Sequence, residues 1–147
     1  MAARRRVSAP RRALAGRYRA RSPYDAAVDL FAGIRVADIA AAREWYERLF
    51  GGQPSFLPNA TEAVWTLAEH RHVYIEQDTA AAGGGLVTIF LDGDLDAVVA
   101  DIAARGIEPA ERETYSNGVR KAIYRDPDGN EVGFADAGSG ASGRRQE

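Results

Sequence analysis

The sequence repeats one pattern of secondary structure. An apolar segment from Leu30 to Val36 precedes a predicted helix from Asp38 to Phe50. Further along the chain, Leu86 to Leu91 precedes a second predicted helix from Asp94 to Arg105. Both helices start at an aspartate, a good N-cap residue, and both are followed by glycine. Short strand-like segments come after each helix, so the chain is predicted to contain a duplicated strand–helix–strands unit.

Length and composition limit the class of protein. The 147 residues suffice for one domain with a hydrophobic core. The absence of cysteine excludes disulfides, thiolate metal sites and thiol catalysis, and it fits a reducing compartment, so we expect a cytoplasmic protein. No apolar run approaches the roughly 20 residues that a membrane-spanning helix needs, and no membrane partner is expected.

Charge divides the chain into a basic arm and an acidic body. Residues 1–28 hold eight arginines and one aspartate, a net charge of +7. Residues 29–137 hold nine Lys or Arg and nineteen Asp or Glu, a net charge of −10. The arm lacks hydrophobic periodicity and is predicted to be disordered, as is the tail at 138–147. Nucleic acid is not an expected partner, because the acidic body would oppose its binding.

The acidic body is predicted to be a single domain of two modules. The modules span about residues 29–78 and 85–137, and the small residues between them form the linker. Alternation along the first strand predicts one set facing the helix and the other facing the concave side of the sheet. The first set is Leu30, Ala32, Ile34 and Val36, and the second is Phe31, Gly33 and Arg35.

Three segments resemble the vicinal oxygen chelate superfamily of glyoxalase I, bleomycin-resistance proteins and extradiol dioxygenases. They are Ile34–Asp38, Trp45–Gly51 and Tyr124–Asn130. The resemblance implies an α+β fold of two βαβββ modules whose curved mixed sheet encloses a cavity. Homodimers are common in this superfamily, so a homodimer is expected.

The resemblance also places four metal-ligand positions on the concave face. They fall on Phe31, Glu76, Leu86 and Gly133. Only Glu76 could ligate a metal, whereas a stable divalent site normally needs at least three protein ligands. We therefore predict a member of the superfamily without a metal or another cofactor.

Eight residues are candidates for ligand binding in such a cavity. The aromatic ones would cover an organic ligand and the polar ones would orient it. They are Phe31, Arg35, Trp65, Tyr74, Glu76, Thr88, Phe90 and Arg120. Alternative roles stay open for three of them: Trp65 as ordinary core, Arg120 as an exposed edge charge, and Glu76 as an ion-pair partner of Arg35 or Arg120.

Three functions remain open from the sequence. The first is a metal-free protein that binds and sequesters a small organic ligand, in the manner of bleomycin-resistance proteins. The second is an enzyme of the glyoxalase or dioxygenase type, a lyase, isomerase or oxygenase, with Glu76 as the general base of a metal-free reaction. The third is a regulatory or interaction module whose cavity is filled by its own side chains.

Overall fold

The computed structural model describes Tyr24 and residues 28–138. The chain divides into two units, Met1–Leu30 and Phe31–Glu147, and the described residues lie almost entirely in the second. Apart from Tyr24, Val28 and Gly138, the predicted arm and tail lie outside the described residues. No helix in the described part of the chain has the length and apolar character needed to cross a membrane.

Two copies of the strand–helix–strands unit are present, as predicted. The first contains β1 (Leu30–Val36), α1 (Ile39–Phe50), β2 (Phe56–Asn59), β3 (Glu62–Ala68) and β4 (Arg71–Gln77). A short 3₁₀ helix (Thr79–Ala81) lies in the linker. The second contains β5 (Leu86–Phe90), α2 (Leu95–Ala104), β6 (Glu111–Thr114), β7 (Arg120–Arg125) and β8 (Glu131–Asp136).

The strands form two four-stranded sheets with the same order. That order is β1-β4-β3-β2 in the first module and β5-β8-β7-β6 in the second. In the second module β5 and β8 run parallel, while the other pairs are antiparallel. The predicted α+β fold of two βαβββ modules is therefore confirmed. The described strands remain two separate sheets and do not close into one around an enclosed cavity.

The helices start where the sequence predicts. Asp38 has an extended backbone and its carboxylate accepts hydrogen bonds from the backbone N–H groups of Ala40 and Ala41. Asp94 caps α2 in the same way through the N–H of Asp96, at 2.8 Å. α1 ends at Gly51, whose φ of 86° lies in the left-handed region that glycine adopts without strain.

The hydrophobic core lies on the helix side of each sheet. Alternation along β1 follows the prediction from Phe31 to Val36, since Ile34 and Val36 are buried whereas Phe31 and Arg35 are exposed. Leu30, also predicted to face the helix, is instead 71% exposed at the start of the strand. The largest fully buried apolar and aromatic side chains come from both modules: Ile34, Val36, Tyr46, Leu49, Ile75, Leu95, Ile102, Tyr124 and Val132. We call the other face of each sheet, turned away from its helix, the open face.

A tight turn of the second module links it to the first. Asp126, which is 5% exposed, accepts hydrogen bonds from the Tyr46 hydroxyl of α1 at 2.9 Å and from the Asn130 amide at 2.8 Å. Its other carboxylate oxygen accepts the backbone N–H groups of Asp128 and Asn130. Burial, together with the Asp126 charge, raises the pKa of Tyr46 well above its ordinary value, so this phenol stays protonated as the donor.

The same turn holds β1 and the linker. The Asn130 amide donates to the Arg35 carbonyl at 2.9 Å, and its oxygen accepts the Gly85 N–H at 2.7 Å. The Asp128 carboxylate accepts the Ala37 N–H at 3.0 Å. Because these bonds satisfy buried or half-buried polar groups, the Asp126–Asn130 turn fixes how the first strand lies against the second module.

Candidate functional site

The open face of the first sheet carries a row of aromatic side chains. The Phe31 ring stacks on His72, with centroids 4.3 Å apart, and meets Tyr74 edge-on at 6.4 Å. The Tyr74 ring crosses over Gly33: a Cβ atom added to Gly33 would come within 2.7 Å of the Tyr74 hydroxyl. A side chain at position 33 would therefore displace the ring.

A cleft opens beside Tyr74. Its volume is about 410 Å³, within the range of roughly 300–1,000 Å³ typical of small-molecule sites. It is lined by parts of β1, β4 and the linker: Gly33, Ile34, Arg35, Tyr74, Glu76, Ala81, Gly84 and Gly85. Three of the eight predicted ligand-binding residues, Arg35, Tyr74 and Glu76, are thus brought together.

The cleft contains charges of both signs. The Arg35 guanidinium has its nearest carboxylate at Asp78, 3.8 Å away, and its side chain is 58% exposed. Among the described residues, no basic group lies within 4.0 Å of the Glu76 carboxylate. Glu62 is the cross-strand neighbour of Glu76 on the same face, and this pairing adds negative charge. Neither predicted ion pair of Glu76, with Arg35 or with Arg120, is formed in the described structure.

The linker wall of the cleft is held in place by backbone contacts. The Asp78 N–H donates to the Val36 carbonyl at 2.8 Å. Gly83 has a φ of 104°, and a Cβ atom there would meet the Asp128 carbonyl at 2.8 Å, so only glycine fits without a shift. A Cβ atom on Gly84 would meet no atom within 4 Å. A larger side chain at Gly84 could therefore enter the cleft while the framework stays intact.

The open face of the second sheet differs from the first. Leu86 and Phe90 of β5 are 70% and 60% exposed, and Thr88 between them is exposed as well. Lys121 of β7 extends over Gly133, where an added Cβ atom would lie 2.5 Å from the lysine Cε. Exposed apolar side chains are thus confined to β5, while the neighbouring strands of this face carry Lys121 and the ion pairs of Arg125 with Glu111 and Glu131.

Comparisons with known proteins agree with this geometry. The family model of the Glyoxalase/Bleomycin resistance protein/Dioxygenase superfamily matches residues 27–134. The chain belongs to this superfamily. A crystal structure of a glyoxalase/bleomycin resistance protein from Catenulispora acidiphila DSM 44928 is 47% identical, with a TM-score of 0.72, and the match covers 75% of this chain and 98% of that one. No match was found among curated proteins.

More distant solved structures share the fold. A bleomycin-binding protein complexed with bleomycin is 18% identical, with a TM-score of 0.60, over 74% of this chain and 97% of that one. A lactoylglutathione lyase from Agrobacterium tumefaciens is 16% identical, with a TM-score of 0.62, over 76% and 94% of the two chains. At these identities the likeness concerns the fold alone.

The four positions at which superfamily members hold a metal do not fit one in this chain. Phe31 is stacked on His72, Leu86 is exposed, and the Lys121 side chain, which ends in a cationic ammonium, crosses Gly133. Glu76 alone offers a donor. Among the described residues, no group of three or more His, Cys, Asp or Glu side chains could hold an ion.

Trp65 lies in the core of the first module, not on the open face. Its side chain is 3% exposed and packs against Phe50 and Tyr46, with centroids 5.7 and 6.0 Å away. The indole N–H donates to the Gly52 carbonyl at 2.9 Å. Trp65 therefore occupies a position in the core of the sheet, as the alternative prediction for this residue stated.

Arg120 also lies on the helix side, where it joins a carboxylate cluster. Its guanidinium donates to the buried Asp136 at 2.7 Å and to Asp96 of α2 at 3.0 Å. The hydrogen bond from Arg120 is the largest cause of the lowered pKa of Asp136, about 2, and the backbone N–H groups of Leu95 and Gly138 add to it. The Arg120 guanidinium is thus engaged by carboxylates on the helix side and does not line the cleft beside Tyr74.

Other residues of the cleft were not identified from the sequence. Gly84, Gly85 and Ala81 carry no chemical signal, because they contribute space and backbone only. Glu62 could have been found from its pairing with Glu76, since facing strands of a hairpin place opposed residues on one face.

Proposed function

We propose that this superfamily member is a metal-free protein that binds and sequesters a small organic ligand. The observation that supports this function best is the cleft beside Tyr74, which has the size of a ligand site and charged groups free to contact a ligand. An open cleft does not favour a module whose cavity is filled by its own side chains. The fold is shared with a structure described as a bleomycin-binding protein complexed with bleomycin.

The ligand would lie against Tyr74, with its polar groups at Arg35 and Glu76. An aromatic contact contributes about 0.5–1.5 kcal/mol beyond the area it buries. The negative charge of Glu76 and Glu62 favours a ligand that carries a cationic group. Phe31 extends the aromatic surface through its contact with Tyr74.

We further propose that a second copy of the chain covers the open face of the second sheet. Leu86 and Phe90 expose large apolar side chains there, and exposed apolar patches commonly mark interfaces. A homodimer would bury them together with Thr88, which lies between them on β5. This assembly operates in the cytoplasm, in keeping with a chain that lacks cysteine.

A binding screen with a steric block in the cleft tests the proposal. Wild-type protein is screened against a broad panel of natural products by thermal shift, and each hit is measured by calorimetry. Gly84→Phe should weaken the hits about tenfold or more, a loss of about 1.4 kcal/mol. Gly52→Phe is the control, because Gly52 is equally open and lies in the loop after α1.

Two results would contradict the proposal. One is a panel without a single hit, or hits whose affinity is unchanged in Gly84→Phe. The other is stoichiometric Ni, Zn, Fe or Mn in protein purified without chelators, because it would show a metal site that the donor set does not support.

A further inference from the structure

Opposite charges line the same cleft without neutralising each other. Arg35 on β1 and Glu76 on β4 both border it, and no ion pair joins them within 4.0 Å in the described structure. Among the described residues, the counter-charge nearest to Arg35 is the Asp78 carboxylate, at 3.8 Å. The cleft therefore presents one cation and one anion that a ligand can reach.

The opposite charges of Arg35 and Glu76 favour a ligand that carries both a cation and an anion. When a ligand displaces water from a cleft, a charged group that loses its hydration needs a new partner. A ligand with a single charge would pair with either Arg35 or Glu76 and desolvate the other group without compensation. A ligand with both charges would compensate both groups, and each contact would be a charge-assisted hydrogen bond.

Tyr74 defines the middle of the site. It precedes Glu76 by two residues on the same strand, so both side chains lie on one face. Its ring crosses Gly33, which precedes Arg35 by two residues on β1 and thus shares that face too. Gly84 lines the same cleft and has open space beside its Cα. A flat group placed between the two charges would stack on this tyrosine.

The geometry points to a zwitterionic ligand with an aromatic ring. Its ammonium or amidinium group contacts Glu76, its carboxylate contacts Arg35, and its ring lies on Tyr74. This inference rests on the proposed binding function and narrows the ligand to one chemical class. It also gives the anion-binding role to Arg35, since Arg120 is engaged by Asp136 on the other side of its sheet.

Four small probes that share a ring and differ in charge test the inference. They are 4-(aminomethyl)benzoate with both charges, benzylamine with the cation, benzoate with the anion, and benzyl alcohol with neither. Calorimetry at low ionic strength should show the zwitterion binding tightest, by about fivefold or more over either singly charged probe. Affinity that is no higher for the zwitterion than for benzylamine or benzoate would overturn the inference.

Charge-neutralising variants assign each group. Arg35→Met should reduce the affinity of the zwitterion to that of benzylamine, and Glu76→Gln should reduce it to that of benzoate. Arg125→Met and Glu111→Gln are matched controls, because these residues form a 2.8 Å ion pair on the second sheet. A loss that is equal in the controls and in the cleft variants would also overturn the inference.

The experiments distinguish a failure of the zwitterionic ligand class from a failure of the proposed binding function. If none of the four probes binds but natural-product hits bind and are lost in Gly84→Phe, the zwitterion class is wrong and the binding function stands. If neither the probes nor the panel bind, both fail.

Discussion

In the first module the open face of the sheet carries Tyr74 and Glu76 beside a cleft, whereas in the second module it carries the exposed Leu86 and Phe90. The helix sides of the two sheets differ as well. The second module buries Asp136 there against Arg120, while the first packs aromatic rings around Trp65. The two copies keep one strand order but bury different groups on their helix sides.

This difference shows which parts of the unit are constrained. Both helices keep an aspartate N-cap, and glycine with positive φ follows each of them, at Gly51 and Gly106. These residues set the path of the chain and do not touch the open faces. The open faces are free to diverge, which fits the proposal that one holds a ligand and the other packs against a second copy.

The largest expected effect comes from removing the buried hydrogen bonds that join the Asp126–Asn130 turn to the first module. Asp126→Ala removes the carboxylate that accepts the Tyr46 hydroxyl and one N–H of the Asn130 amide, and leaves both of these hydrogens unpaired. We expect the free energy of unfolding to fall by about 3–5 kcal/mol, as when one partner of a buried polar network is removed. Urea denaturation measures the loss, and Asp92→Ala at an exposed position should change it little. Equal losses in the two variants would show that the turn does not join the modules.

The second effect tests the exposed apolar side chains of β5 in the second module. Phe90→Asp places a charge on a surface that we propose to be buried in the homodimer. The dimer dissociation constant should rise about 100-fold, or about 2.7 kcal/mol, as measured by sedimentation velocity. Ala100→Asp, on an exposed position of α2, should leave it unchanged. A wild-type protein that sediments as a monomer, or a Phe90→Asp variant that remains dimeric, would contradict this interface.

The third effect is a pH dependence confined to the helix side of the second module. The pKa of Asp136 is lowered from 3.8 to about 2, so at pH between these values the unfolded state binds a proton that the folded state does not. Acid therefore favours unfolding in this range, and the stabilisation is complete above about pH 4 and lost towards pH 2. Asp136→Asn should lose less of its free energy of unfolding than wild type between pH 4 and pH 2. If the free energy of unfolding falls equally with pH in Asp136→Asn and in wild type, other carboxylates cause the acid sensitivity.

The smallest effect compares two buried tyrosines, one from each module. The Tyr46 hydroxyl donates to Asp126, whereas the Tyr124 hydroxyl is buried with no partner among the described residues. Tyr46→Phe should lower the free energy of unfolding by about 1–2 kcal/mol. Tyr124→Phe should change it by about 0.5 kcal/mol or less, or raise it, because no hydrogen bond is lost. A larger loss for Tyr124→Phe would indicate a buried water on that hydroxyl.

The sequence predicts the framework well because its signals are local. The helix caps at Asp38 and Asp94 depend on neighbouring residues, and the alternation in β1 has a single interpretation. The segment around Trp65 does not, because Ala63, Val64 and Trp65 are consecutive apolar residues and either face could be the core side. The pairing of Trp65 with Val73, a buried residue of β4, places Trp65 on the core side of the sheet.

Long-range contacts limit the prediction of the site in the same way. Arg120 and Lys121 are adjacent, so sequence alone does not tell which of the two faces the helix, and the buried Asp136 determines the answer. One wall of the cleft is the linker. Gly83 and Gly85 of the linker contact the Asp126–Asn130 turn, and these contacts are distant in sequence. Glu76 was placed on the concave face by the family resemblance, and Tyr74, two residues earlier on the same strand, shares that face.

Native mass spectrometry tests the central claim most directly, namely that the first module binds an organic ligand without a metal. Wild type and Gly84→Phe are purified without chelators and incubated with the tightest ligand of the panel. We predict an organic adduct on wild type, no bound divalent metal, and no adduct on Gly84→Phe. A divalent metal bound to each wild-type chain, or the same adduct on both proteins, would contradict the account.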